Sequence, residues 1–127
     1  MPTSNLLARN YWLLAAALWT IFMGLLCLIS FKSIHLTFKS GSLDKVVHVV
    51  FHFFFTFLWA QALKKTTILN ALLPKIIFAS IVYGITLEFA QDLFTTSRRG
   101  DFIDVVANIF GSLLAAAVLK LSGSAGN

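Results

Sequence analysis

Four long apolar stretches constrain this chain more than any other feature. The first, Tyr11–Phe31, has 21 residues and no charge. That crosses a hydrocarbon core about 30 Å thick at about 1.5 Å per residue. The others run Val46–Leu63, Ile76–Phe94 and Phe102–Leu119. Backbone groups in lipid must bond within their own segment, so uninterrupted runs of this length predict helices rather than strands. The expectation is an all-α integral membrane bundle of four transmembrane helices (about 11–31, 46–63, 76–94 and 102–119), forming a single domain over residues 1–127. Composition agrees: 58% of residues are hydrophobic and 12% charged, against about 25% charged in a soluble domain. That excludes a soluble enzyme, a disordered chain and a nucleic-acid module. The net charge of +5 comes from cations placed singly or in pairs between apolar runs, as membrane proteins place them, so no nucleic-acid partner is expected.

The first run is longer than a signal-peptide core, and no small-x-small site closes it. Cys27, the single cysteine, has no partner for an internal disulfide. Pro74 suits the start of the third helix, where its missing donor costs little. The longest connection, Lys32 to Lys45, alternates apolar and polar residues and suits the membrane interface. Four crossings put both ends on one side. Lys and Arg divide five against five between the two sides, but all five acids lie on or toward the side away from the termini. That favours cytoplasmic termini.

The chemistry lies in the second half. With Lys64, Lys75 and Lys120 as depth markers, His52, Glu88 and Asn108 each lie about 18–20 Å away. His48, Gln91, Asp92 and Asp104 form the next layer, and Asp44, Lys45, Arg98, Arg99 and Asp101 the last. Helical spacing aligns Asp101, Asp104, Asn108 and Gly111 in steps of 3, 4 and 3, and Lys45, His48 and His52 in steps of 3 and 4. Gly84 and Gly111 are structural candidates, small enough for backbones to approach beneath the polar layer. Asp44 is structural too, aligned with His48. The first helix carries no ionisable group in its apolar run and reads as a packing helix.

A carboxylate in the hydrocarbon zone is costly, so Glu88 is the sharpest candidate, either as a paired register-setter or as a general acid or base. His48 can shuttle protons or ligate a metal, or be a satisfied core histidine. Glu88, Asp101, Asp104 and His48 are candidate ligands for a divalent cation, although no cofactor is specified. Arg98 and Arg99 suit a phosphate or carboxylate; lipid phosphates alone would satisfy them. Asn108 reads as an orienting residue or a carbonyl ligand. No Walker loop, dinucleotide fingerprint, zinc-protease motif or nucleophile elbow occurs.

Three stretches carry a resemblance: DKVVHVVFHFFF at Asp44–Phe55, YGITLEFAQ at Tyr83–Gln91, and RRGDFIDVVANIFGSLLA at Arg98–Ala115. Together they resemble the VanZ-like family of small bacterial membrane proteins. Asp44, Lys45 and His48 match its Asp-Lys-x-x-His start, and Glu88 and Gln91 its Glu-x-x-Gln pair. Arg99, Asp101, Asp104, Asn108 and Gly111 match its final run, with Arg98 as the alternative arginine. The resemblance covers about residues 10–120. It implies a bacterial inner-membrane location in the cell envelope. The founding member is associated with low-level resistance to teicoplanin, and the family's biochemical activity is not established.

Three functional classes follow. The first is a binding protein holding an anionic amphiphile, such as a membrane lipid or lipid-linked envelope precursor, through Lys45, His48, Glu88, Gln91, Arg98, Arg99, Asp101, Asp104 and Asn108. The second is an enzyme acting on a lipid headgroup, with Glu88 or His48 as base and Asp104 positioning water or a cation. The third, a small transporter or proton relay, needs homo-oligomerisation, because four helices leave little room for alternating access.

Overall fold

The computed structural model describes residues 2–28, 41–64, 69–94 and 102–125. They form four helices, α1 (Pro2–Leu28), α2 (Gly41–Leu63), α3 (Leu69–Phe94) and α4 (Phe102–Ala125), with no strand among them. All four are long and apolar enough to cross a membrane; the chain is a multi-pass membrane protein. Asp101, Arg98, Arg99 and most of the Lys32–Lys45 connection lie outside the described residues.

The helices extend beyond the apolar runs. Helix α1 begins at Pro2 rather than Tyr11, α2 at Gly41 rather than Val46, and α4 ends at Ala125 rather than Leu119. Polar flanks continue a helix once the span has nucleated it, since each added residue contributes one further backbone bond. The third helix corrects the reading of Pro74, which sits inside α3, five residues after its start. A proline there forfeits one backbone hydrogen bond. The preceding turn nevertheless stays helical because Leu73, 1% exposed, is packed with Ala60, Ile76, Ala116 and Leu119, with Leu69 and Leu72 against the same cluster.

Helix α2 is central. It touches α1, α3 and α4, with its largest interface on α4, whereas α1 makes no contact with α4 among the described residues. The α4 sequence accounts for that interface. Its buried positions, Asp104, Ala107, Asn108, Gly111, Ser112, Ala115, Ala116 and Leu119, recur in steps of 3 and 1 and are nearly all small or polar. Its exposed positions, including Phe102, Ile103, Phe110 and Leu113, are large and apolar. Small inward residues allow close helix approach, and large outward ones meet lipid. At Gly111 an added Cβ would run into the Val49 carbonyl oxygen, so the two backbones are nearly in contact.

Helix α1 is attached by hydrogen bonds from bulky side chains. Trp59 Nε1–H donates to Thr20 Oγ1 (3.0 Å), and Tyr83 O–H to the Thr20 carbonyl (2.6 Å). Trp19 Nε1–H donates to the Phe51 carbonyl (3.0 Å), and its ring packs on Phe22, Phe51 and Phe54. The packing role expected for this helix is what the contacts describe.

Candidate functional site

Each of the three later helices turns a series of positions four residues apart toward a shared axis. On α2 these are His48, His52 and Thr56; on α3, Ser80, Gly84 and Glu88; on α4, Asp104, Asn108 and Ser112. All nine are buried. Helical geometry stacks such positions on one face, about 6 Å apart along the axis. The result is a polar column inside an apolar bundle.

The upper end of the column holds the ionisable groups. Lys45 Nζ pairs with Asp104 Oδ1; the lysine side chain is 25% exposed and the aspartate 5%. Asp104 lies in the first turn of α4, where the helix dipole also favours a carboxylate. Below it, His48 Nδ1–H donates to Asn108 Oδ1 (3.0 Å). That bond fixes the ring so that Nε2 faces two carboxylates, Asp104 Oδ2 at 3.6 Å and Glu88 Oε1 at 3.9 Å. His48, Glu88 and Asp104 each offer one ligand atom, all within 4.8 Å of one another.

The lower end is neutral. His52 Nδ1 and Ser80 Oγ are 2.7 Å apart, and Ser80 Oγ and Ser112 Oγ are also 2.7 Å apart. Either direction of hydrogen donation along the chain satisfies both links. Beneath it the apolar cluster of Ala60, Leu73, Ile76, Ala116 and Leu119 closes the bundle, with Phe57 and Trp59 packed against it.

The structure therefore brings Lys45, His48, Glu88, Asp104 and Asn108 together. It differs from the expected layering, because Glu88 and Asn108, expected level with His52, both stand with His48. Counting from Lys75 placed Glu88 too deep, because α3 begins six residues before Lys75, about 9 Å of helix. Gln91 donates from Nε2 to the Cys27 carbonyl (2.9 Å) and ties α3 to α1. Asp92 is exposed. Asp44 falls within α2, and its side chain lies outside the described ones. The space above Gly111 is taken by the α2 backbone at Val49 and Phe53. The space above Gly84 is occupied by the tips of Asn108 and His52.

Ser80, Ser112 and Thr56 escaped the sequence reading. The available signal was the four-residue step from Ser80 to Gly84 to Glu88 and from Asp104 to Asn108 to Ser112. No family model, curated protein or solved structure matches this chain.

Proposed function

We propose that the chain is a VanZ-like protein of the bacterial inner membrane, with both termini cytoplasmic. In this reading its polar column binds the head of an anionic amphiphile, a membrane lipid or lipid-linked envelope molecule, from the outer leaflet. One observation carries the reading: Lys45, His48, Glu88 and Asp104 converge from three helices at one end of the bundle, above an apolar floor. Buried ionisable groups in a membrane are expensive and mark binding or catalytic sites. Lys45, a quarter exposed, marks the side of access. Arg98 and Arg99, next to α4 in sequence, supply further anion-binding groups. The apolar floor weighs against a conduit.

A second reading, a headgroup-modifying enzyme, is favoured by the bond from His48 to Asn108. A ring oriented through one nitrogen presents the other as a base, with Glu88 and Asp104 beside it.

Purification in a mild detergent followed by native mass spectrometry for retained lipid tests the reading. Glu88→Gln and His48→Ala should each lose the lipid while keeping helical circular dichroism and a single size-exclusion peak. If both variants unfold, the cluster serves the fold instead. If both keep the lipid at the wild-type level, the pocket lies elsewhere.

A further inference from the structure

We infer that His48 Nε2, Glu88 and Asp104 form a site for one first-row divalent cation of the Zn²⁺ or Mn²⁺ class. The inference deepens the anionic-amphiphile reading and rests on it for its purpose: the cation would meet the anionic head.

Three observations support the site. The first is distance. Two ligands at about 2.0–2.2 Å from a shared tetrahedral ion stand about 3.4 Å apart. His48 Nε2 lies 3.6 Å from Asp104 Oδ2 and 3.9 Å from Glu88 Oε1. Both separations exceed a hydrogen bond, and the three ligand atoms lie within 4.8 Å of one another, so the carboxyl groups close inward to reach ligand spacing. The ligands come from three different helices, so the bundle itself holds them in place.

The second is orientation. A metal-binding histidine commonly donates its other ring N–H to an oxygen acceptor, which sets the tautomer and aims the ligating nitrogen. His48 Nδ1–H donates to Asn108 Oδ1 at 3.0 Å, so Nε2 is the nitrogen that faces the carboxylates. One imidazole with two carboxylates suits a cation of intermediate hardness, and positions beyond these three remain for ligand or water.

The third is charge. By formal charge, Lys45 brings one positive charge and Glu88 and Asp104 two negative. On that balance Lys45 alone holds an anionic head weakly. Addition of a divalent cation turns the sum from minus one to plus one and makes the same residues attractive to an anionic head. Lys45 does not displace the cation: it pairs with Asp104 Oδ1, while Oδ2 faces His48.

The test uses the full-length protein in detergent, purified without chelator. Metal content is read by elemental analysis, and Zn²⁺ and Mn²⁺ affinity by titration of thermal unfolding. About one metal ion per chain, removed by a chelator and restored by one of the two ions, is expected. His48→Gln and Glu88→Gln should weaken binding at least tenfold. Asn108→Ala, which removes only the positioning bond, should weaken it about 10–100-fold. Thr86→Ala, an exposed position outside the column that bonds only to the Val82 carbonyl of its own helix, should bind as wild type does. Should Glu88→Gln fail to fold, Glu88→Asp, which keeps the charge and shortens the arm, should show the same loss. Folded wild-type protein that carries no metal and does not respond to millimolar Zn²⁺ or Mn²⁺ overturns the site, as does a Glu88→Gln protein with undiminished affinity. Phosphatidylglycerol retention with and without chelator separates this inference from the function beneath it. Lipid retained equally in both refutes the cation's part in holding the head and leaves the binding function intact. Metal bound with no lipid retained refutes that function and leaves the cation site standing.

Discussion

Gly111 and Gly84 differ in what would resist a methyl group. A Cβ on Gly111 would meet backbone, the Val49 carbonyl group and the Phe53 nitrogen. Backbone cannot rotate away, so Gly111→Ala must push α2 and α4 apart. The expected cost is about 1–3 kcal/mol, seen as a lower unfolding midpoint in detergent. A Cβ on Gly84 would lie 2.5 Å from Asn108 Nδ2 and 3.0 Å from His52 Cε1. Those are side-chain tips, and they can move. Asn108 Nδ2 is also buried with no hydrogen-bond partner among the described residues, so nothing at that end holds the amide in place. Gly84→Ala should therefore displace Asn108, release His48 and impair the site while costing less stability than Gly111→Ala. A Gly84→Ala protein with a wild-type site and the larger stability loss would contradict this ranking. Both glycines were visible in the sequence as small residues below the polar layer. Their neighbours were not, because spacing along one helix does not say whether backbone or side chain fills the opposite space. The same limit hid Ser80 and Ser112. A serine or threonine in a membrane helix can bond to its own backbone one turn back, as Thr20 and Thr86 do at 2.8 Å. Only the packing shows Ser80 and Ser112 turned toward each other.

Among the elements, α1 is the one whose attachment is most localised. Thr20 receives two donors through different atoms: Trp59 uses its hydroxyl oxygen and Tyr83 its carbonyl oxygen. Removal of the hydroxyl by Thr20→Val should disturb only the first. In a double-mutant cycle, Thr20→Val and Trp59→Phe should be non-additive, with a coupling of about 0.6 kcal/mol, the usual size of a hydrogen bond between membrane helices. Thr20→Val and Tyr83→Phe should add. Chemical unfolding in mixed micelles reads both cycles, and coupling in the second pair alone would assign the hydroxyl to the wrong partner. The four helices were legible because the membrane imposes length and apolarity on each. Their ends were not. Pro74 and Lys75 read as a boundary, yet the leucines before them continue α3 because Leu73 has a buried site to fill. That displaced end also misplaced Glu88 by a layer. The composition of the candidate site was therefore more legible than its depth.

For the whole molecule, the decisive property is the order of layers along the bundle axis. Ionisable groups lie at one end, then the neutral chain of His52, Ser80 and Ser112, and then an apolar floor. Water or a proton entering from the Lys45 side meets hydrogen-bonding partners as far as the serines and none in the packed cluster beyond. Ala60, with no exposed surface, belongs to that cluster. This predicts access from one face only. In a Cys27→Ala background, Lys45→Cys should react with a membrane-impermeant thiol reagent from one side of sealed vesicles. Ala60→Cys should react from neither side until SDS opens the bundle, when both should label fully. Reaction of Ala60→Cys from the face opposite Lys45 would mean that the floor is wet. The chain would then offer a continuous path across the membrane, and the transport reading would replace the binding one. Protection of Ala60→Cys from both faces, with Lys45→Cys open to one, leaves a one-sided site that exchanges its contents with a single leaflet.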